Sequence, residues 1–330
     1  MDMQDYELKI LEEYQVNVKS TRKTRGAFFC DTEEGFLLLR EAGMSKKRIP
    51  ALYKLYAHLQ GQGYEWVDQF LPNREGEYVS VSEEGVPYVL KYWFRGRECD
   101  IRKSRELQEG AKNLAGLHQK MRLELEEYVP DAVHLREEYA SHNRELKKVR
   151  RYMRTRTAKG EFELAFLQCF DSMYAWADAA LTRIGDSGYE ELYTRSLKEN
   201  CLIHGDYNYH NILVTPEGMA TTNFEHFRRG IQAEDLYYFL RKAMEKHEWN
   251  VKLGDCILNA YCAVRPLSDE EMEYLMLRFA YPEKFWKIAD SYYRSNKAWI
   301  PVKNIEKLKV SIMQTEEKRY FLEQIFAFHL

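Results

Sequence analysis

The sequence predicts an α+β protein with two unlike parts, a small antiparallel β part that carries one helix and a larger, mainly helical part. Three observations lead to this prediction. The chain has 330 residues, enough for two domains or for one large unit of two lobes. Short strand patterns separated by turns occupy residues 1–95. Helical spacing of apolar residues dominates from Asp100 to about Glu199, so we expect a small lobe at 1–95 and a large lobe at 96–330.

The small part follows the order β-β-β-α-β-β after an opening helix at residues 1–14. Its first three strands are VNVKS, RGAFFC and GFLLLRE, and a turn at residues 31–35 joins the last two. A helix follows over SKKRIPALYKLYAHLQ, where Pro50 falls in the first turns, the part of a helix that tolerates proline. The strands EYVSVS and PYVLKYWF complete a predicted sheet of five antiparallel strands.

The large part begins with helical patterns and then contains a hairpin with polar residues. One helix is predicted over SRELQEGAKNLAGLHQKM, and a long helical stretch at 134–184 breaks near Lys159 and Gly160. The hairpin joins CLIHGDYNYHNILV to MATTNF through a turn at residues 215–218. Its folding is expected to bring Asn211 close to the level of Asn223, with Asp206 on the loop just before.

The overall charge is small, so it favours neither nucleic acid nor anionic lipid as a general partner. The 49 basic and 52 acidic residues give a net charge of -3. The six cysteines are scattered without a CxxC pair, which is typical of reduced thiols. The acidic start does not resemble a secretory signal, and no apolar run approaches the roughly 20 residues of a membrane helix. We therefore expect cytoplasmic synthesis and no membrane partner.

A basic run at residues 147–159 has seven Lys and Arg residues and no acidic one. Two interpretations are open. The favoured one is a solvated helix face, the usual meaning of a charge run. The other is an anionic partner or substrate, with nucleic acid the least favoured case because no RNA-binding aromatic motif lies beside the run.

The hairpin places together the residue types that phosphoryl transfer needs. That reaction uses a carboxylate to orient or deprotonate the acceptor hydroxyl, and oxygen ligands from two directions for magnesium on the phosphates. Asp206 on the loop, Asn211 five residues later and an acidic residue on the following strand would meet these needs.

The segment HGDYNYHN resembles the HxDxxxxN catalytic loop of the aminoglycoside phosphotransferases and choline kinases. Within that group the chain as a whole resembles the CotS family of bacterial spore coat proteins. The similarity includes AKNLAGLHQ, AEDLYYFLRKAMEKHEW and YPEKFW, and in order of elements it covers nearly the full length. The resemblance implies a bilobal, protein-kinase-like fold with a catalytic loop at 204–211 and a metal-binding strand at 221–227.

The resemblance also implies roles for particular residues. Asp206 would be the catalytic base and Asn211 a magnesium ligand. Asp235 would be a structural anchor that holds the catalytic loop from the next helix, although by itself it is also a first-turn acid of that helix. His204 is expected to be a packed, hydrogen-bonded loop residue.

The metal-binding strand departs from the family pattern. It has Asn223-Phe224-Glu225 where an active member would carry Asp-Phe-Gly or a similar acidic run. Asparagine offers one neutral oxygen where magnesium prefers an anionic ligand. Glu225 is expected to share the side of the strand that faces the neighbourhood of Asn223 and to compensate in part. Asn211, Asn223 and Glu225 are thus the candidate metal ligands.

The small lobe departs from the pattern as well. Arg40 stands where related kinases carry the lysine that grips the phosphates, and arginine also binds phosphate. The helix at 45–60 has no Asp or Glu that could pair with that residue. The phosphate-covering loop has Gly26 alone, beside basic residues that could attract phosphates or face solvent. ATP and magnesium are the implied cofactors, and their binding is expected to be weak.

Two functions remain open at this point. The first is a spore coat or sporulation-associated protein with impaired or absent phosphotransferase activity, located in the coat and bound to other coat proteins. Its candidate contact surface is the aromatic segment 281–299, for which core packing is the competing use. The second is an active, ATP-dependent small-molecule kinase that transfers phosphate to a hydroxyl acceptor, motivated by Asp206 and Asn211.

Overall fold

The computed structural model describes residues 9–24, 26–294 and 302–329. The chain divides into two compact units, and the first comprises residues up to Pro130 together with Asn200–Arg229. The second comprises Asp131–Glu199 and the residues from Gly230 onward. The predicted boundary near residue 95 lies within the first unit. The predicted opening helix falls mostly outside the described residues, and its described end is a short 3-10 turn, Ile10–Glu13.

The first unit contains an antiparallel sheet and one helix from the N-terminal region, as predicted. Its strand order is β1-β2-β3-β6-β4, and β5 also pairs with β6. The sheet of the described residues has six strands instead of five, because a short strand forms at 70–71, and the predicted strand EYVSVS shrinks to two residues. The elements are β1 Val18–Thr24, β2 Ala27–Thr32, β3 Phe36–Glu41, α1 Ile49–Gly61, β4 Phe70–Leu71, β5 Ser80–Val81 and β6 Pro87–Trp93.

Local sequence explains why β3 and α1 form where they do. The centre of β3 is the apolar run Leu37–Leu39, which is buried throughout, as in a strand covered on both faces. Helix α1 has Pro50 in its first turn and buries an apolar face at helical spacing. Tyr56 on this face packs edge-on against Phe70 of β4 and against Phe224, with ring centroids 5.7 and 5.5 Å apart.

The rest of the first unit carries the predicted hairpin. Strands β9 and β10 pair antiparallel in register around the turn that begins at Thr215, as expected. Strand β7 pairs with the other edge of β9, and β8 pairs with β11. Gly96 lets the chain that leads into β7 pass close to the end of β9, since a Cβ there would lie 2.6 Å from the carbonyl oxygen of Val214. The elements are β7 Arg97–Glu98, α2 Ser104–Lys120, β8 Leu202–Ile203, β9 Ile212–Val214, β10 Met219–Thr221 and β11 Arg228–Arg229.

The second unit is helical in all its regular elements that the structure describes, which confirms the α+β prediction. The predicted helix break is present, because α3 ends at Thr155 and α4 begins at Glu161. No helix among the described residues is apolar over a length that could span a bilayer. The helices are α3 Leu135–Thr155, α4 Glu161–Gly185, α5 Tyr189–Lys198, α6 Ala233–Met244, α7 Val251–Cys262, α8 Asp269–Ala280, α9 Glu283–Arg294, α10 Val302–Met313 and α11 Thr315–Phe326.

The basic run lies mostly on α3, where several of its charges have partners within the second unit. Arg150 pairs with Asp171 at 2.7 Å, and its guanidinium stands over the ring of Phe170. Lys147 stands over the ring of Tyr174 at 4.9 Å from its centroid. These contacts are those of a helix face that pairs and packs within its own unit.

The aromatic segment at 281–299 is used mainly for packing in its described part. Tyr281, Phe285 and Tyr292 are buried, and Tyr281 stacks on Tyr139 with centroids 3.8 Å apart. Residues 295–299, which include the last tryptophan of the candidate surface, lie outside the described residues. Core packing therefore accounts for the described rings.

A buried histidine in the second unit should make stability depend on pH. His142 is 8% exposed and stacks on Trp286 at 3.4 Å between centroids. Burial lowers the pKa of His142 from 6.5 to about 4, so between these values the unfolded chain binds a proton that the folded chain does not. We expect the free energy of unfolding to fall by up to about 3 kcal/mol from pH 7 to pH 4 through this group. Urea titrations at several pH values measure it.

The matched variants for this prediction are His142→Phe, which keeps an aromatic ring, and His226→Gln, which changes an exposed histidine. His142→Phe should flatten the pH dependence between pH 6.5 and 4, whereas His226→Gln should leave it as in the wild type. Equal pH dependence in wild type and His142→Phe would show that this histidine does not govern it.

Candidate active site

The candidate loop follows β8 and is held by His204. This side chain is fully buried, its Nε2 donates to the carbonyl oxygen of Thr222 at 3.0 Å, and its Nδ1 accepts from the backbone N–H of Asp206 at 3.1 Å. Both ring nitrogens are thus hydrogen-bonded to backbone atoms, as in a packed loop residue. Gly205 has a φ of +80°, and a Cβ there would overlap the carbonyl oxygen of His226. The loop therefore needs glycine at this position.

The Asp206 carboxylate is oriented by two amide side chains. Asn208 Nδ2 donates to Oδ1 at 3.0 Å, and Asn211 Nδ2 donates to Oδ2 at 2.9 Å. Asp206 itself is half-buried. A carboxylate held in this way has the fixed orientation that a general base needs.

A chain of hydrogen bonds continues from this carboxylate to the sheet. Asn211 Oδ1 accepts from Asn223 Nδ2 at 2.8 Å, so the hairpin brings these two residues together as predicted. Asn223 Oδ1 in turn accepts from Arg40 Nη1 at 2.6 Å. Arg40, Asn223, Asn211 and Asp206 therefore form one relay in which each amide oxygen accepts from the preceding donor.

The backbone of Asn223 explains in part why asparagine suits this position. Its φ of 65° and ψ of 54° lie in the left-handed region, which asparagine tolerates better than most residues. Its N–H donates to Asp68 Oδ2 at 2.9 Å. The amide side chain and the backbone N–H thus bind in two directions, to Asn211 and to Asp68.

Glu225 lies elsewhere than the sequence predicts. Strand β10 ends at Thr221, and Phe224–His226 forms a 3-10 turn, so the argument from alternation along a strand is wrong for this residue. Glu225 is 6% exposed, and its Oε1 lies 2.5 Å from Lys91 Nζ and 3.7 Å from Arg40 Nη1. Its described carboxylate contacts are with cations of the protein.

A buried ionic cluster completes this region and was not predicted. Lys91 in β6 is fully buried and also contacts Asp68 Oδ2 at 2.9 Å, while Tyr56 of α1 donates to Asp68 Oδ1 at 3.0 Å. Lys91 and Arg40 project from the same face of the sheet, since Lys91 pairs with Leu38. The available signal was a lysine in the middle of the apolar strand PYVLKYW.

Burial and charge pull the pKa values of this cluster in opposite directions. Burial raises the pKa of Glu225, but Lys91 and Arg40 outweigh it and hold the value at about 2. Burial would lower the pKa of Lys91, whereas Asp68 and Glu225 raise it above its ordinary value. For Asp68, burial raises the pKa and Lys91 offsets only part of the rise. Lys91 is thus a charged lysine held by at least one carboxylate.

A cleft of about 620 Å³ in the first unit adjoins this relay. Arg22, Arg40 and Arg95 line it together with Asn211 and Asn223. Its apolar walls include four aromatic side chains, which are Phe29, Phe36, Trp93 and Phe94. The cleft therefore combines positive charge with aromatic surface.

The donor set does not fit a magnesium ion. Magnesium prefers anionic oxygens in near-octahedral geometry at about 2.0–2.1 Å. The side chains of Asn211 and Asn223 offer neutral oxygens that already accept N–H donors, and Glu225 Oε1 contacts Lys91. Within the described ranges, no group of three or more His, Cys, Asp and Glu side chains is arranged to hold a metal.

Asp235, the remaining predicted site residue, belongs to the second unit. It lies in the first turn of α6 and is 1% exposed. Its role as an anchor of the catalytic loop stays a prediction.

Comparison with known proteins supports the resemblance found in the sequence. The family model described as "Spore coat putative kinase YutH" matches residues 7–325. Spore coat protein S of Bacillus subtilis (strain 168) is 24% identical over 316 residues, which are 94% of this chain and 89% of that protein.

Solved structures show the same fold. An aminoglycoside phosphotransferase from Alicyclobacillus acidocaldarius has a TM-score of 0.87 at 17% identity, covering 96% of this chain and 94% of that chain. A spectinomycin phosphotransferase bound to AMP has a TM-score of 0.64 at 13% identity, covering 100% of both chains. An amicoumacin kinase bound to AMP-PNP and Ca²⁺ has a TM-score of 0.61 at 13% identity, with coverage of 98% and 94%. These likenesses establish a kinase-like phosphotransferase fold.

The family model spans nearly the whole chain. The chain belongs to the spore coat putative kinase YutH family.

Proposed function

We propose that this protein is a spore coat protein whose kinase-like fold no longer supports efficient phosphate transfer. The observation that supports this proposal is the relay from Arg40 through Asn223 and Asn211 to Asp206. In it, both amide oxygens expected to bind the metal accept N–H donors instead.

The proposal follows from what phosphoryl transfer requires. Catalysis of this reaction depends on positioning and on stabilising charge on the phosphates, for which active enzymes use magnesium. Asn223 supplies no negative charge, and Glu225 contacts Lys91. The Asp206 carboxylate is oriented, but the anionic ligands that would hold magnesium on the phosphates are missing, so we expect little or no turnover.

The family match and one similar protein support a location in the spore coat and partners among coat proteins. The family is one of spore coat proteins, and its relative in Bacillus subtilis is named for the coat. We infer that this chain assembles in the spore coat with other coat proteins after synthesis in the cytoplasm.

A second candidate is an active kinase for a small hydroxyl-bearing molecule. The specific observation that favours it is the doubly hydrogen-bonded Asp206 carboxylate. Structural neighbours act on such molecules, including spectinomycin and aminopropanol.

A turnover assay of wild type beside Asp206→Ala separates the two candidates. Phosphate transfer from ATP is measured with magnesium present, to water and to spectinomycin, aminopropanol and choline. We expect the wild-type rate to match that of Asp206→Ala, because neither supports the reaction. Wild-type turnover that falls about 10²-fold or more on loss of the Asp206 base would refute the proposal and establish the second candidate.

A further inference from the structure

We infer that the cleft beside Arg40 binds the phosphates of a nucleotide without a divalent metal, with the Arg40 guanidinium in the charge-neutralising role. This inference concerns the same site as the proposed function and rests on it for the location. It differs in substance, because it concerns binding and the proposed function concerns turnover.

The first step is the position of Arg40. Its Nη1 lies 2.6 Å from Asn223 Oδ1, the oxygen that the family pattern assigns to the metal. A magnesium ion on that oxygen would stand at about 2.0–2.1 Å from it and close to the guanidinium. Two cations at one neutral oxygen repel each other, so the arginine disfavours the metal.

The second step is the charge available to a ligand. Glu225 Oε1 lies 2.5 Å from Lys91 Nζ but 3.7 Å from Arg40 Nη1, so the buried lysine is the closer partner of this carboxylate. The Arg40 side chain is 29% exposed and also lines the cleft. Its planar guanidinium presents N–H donors to phosphate oxygens.

The third step is the chemistry of the remaining walls. Arg22 and Arg95 add two exposed cations, against one lining carboxylate, Glu98, which pairs with His210 at 2.6 Å. Four aromatic side chains provide flat apolar surface, and the Arg22 guanidinium lies 5.5 Å from the centroid of Phe29. Excess positive charge beside aromatic rings in about 620 Å³ suits an aromatic base that carries phosphates.

The test measures nucleotide binding by the full chain with and without magnesium. Isothermal titration calorimetry with ATP is done in EDTA and again in excess MgCl2. We expect ATP to bind in EDTA at least as tightly as with magnesium. Adenosine and inorganic tripolyphosphate, titrated separately, report the contributions of the rings and of the arginines.

Variants then assign the phosphate contact to Arg40. Arg40→Ala should weaken ATP binding in EDTA by about tenfold or more, the loss expected for a charge-assisted contact, and should leave adenosine binding unchanged. Arg102→Ala is the matched control, because Arg102 is 85% exposed and does not line the cleft. If Arg40→Ala does not fold, Arg40→Gln provides the same test, since it removes the guanidinium charge and keeps a polar side chain.

Three results would overturn the inference: ATP binding that requires magnesium, ATP binding that Arg40→Ala leaves unchanged, or no ATP binding in either buffer. None of these affects the proposed function, which depends on the turnover assay alone. Conversely, turnover by the wild type would refute the proposed function while metal-free binding could still be observed.

Discussion

Replacing Lys91 with methionine is expected to lower the free energy of unfolding by about 3–5 kcal/mol, the usual cost of removing one partner from a buried ionic cluster. Lys91 is fully buried, and it contacts Asp68 at 2.9 Å and Glu225 at 2.5 Å. Without its charge, two buried carboxylates lose their common partner, although Arg40 remains near Glu225. Urea unfolding at pH 7 measures the loss.

Two controls make this prediction specific. Lys112→Met removes an exposed lysine that pairs with Glu109 on α2, and its unfolding midpoint should stay close to wild type. Adding Asp68→Asn and Glu225→Gln to Lys91→Met should restore most of the lost stability, because no buried charge is then unpaired. The prediction is wrong if Lys91→Met and Lys112→Met unfold at the same urea concentration.

The pH dependence of the Lys91→Met variant provides an independent readout. Loss of Lys91 should raise the pKa of Glu225 above its value of about 2 and raise that of Asp68 further. Carboxyls with a folded pKa above the unfolded value take up protons on folding. The stability deficit of the variant should therefore shrink as pH falls from 7 towards 5.

Replacing Gly205 with alanine is expected to cost about 3 kcal/mol or more, because two penalties coincide at this residue. Its φ of +80° disfavours any side chain, and the added Cβ would overlap a backbone carbonyl that cannot move aside as a flexible side chain would. The loop that carries Asp206 should shift as a result. Urea unfolding measures the cost.

Gly85→Ala is the matched control for this substitution. Gly85 has a φ of +82°, but nothing lies within 4 Å of the position of its Cβ. It should cost only the conformational penalty, about 1–2 kcal/mol. An equal loss of stability in Gly85→Ala and Gly205→Ala would show that the close approach to His226 has no energetic weight.

Local patterns predicted the fold class and most elements of the first unit. The apolar residues of β2 and β3, the proline near the start of α1 and the turn that begins at Thr215 are each signals carried by residues near in sequence. The strand at Phe70–Leu71 was missed, because a two-residue strand has no periodicity to detect and forms only by pairing with β6.

The sequence predicted the loop and hairpin residues of the candidate site but not the ionic cluster around Glu225. Asp206 and Asn211 lie in one short motif, and the hairpin brings Asn211 to Asn223 by local pairing. The expected role of Glu225 depended on a strand that the chain does not form there. Its partner Lys91 is 134 residues away in sequence, and Asp68, the other carboxylate that contacts Lys91, is 157 residues away, so no local pattern could join them.

The sequence by itself determined the family, the α+β class and the loop that orients Asp206, because these depend on short motifs and on hydrophobic periodicity. Only the tertiary structure decided which Lys or Arg side chain pairs with which carboxylate. Folding places Lys91 and Arg40 on one face of the sheet against the 3-10 turn after Asn223, and burial makes each of those charges require a partner. In the folded chain Glu225 therefore pairs with Lys91, and the Asn223 side-chain oxygen accepts from Arg40. The Arg40 guanidinium lines the cleft and gives it positive charge.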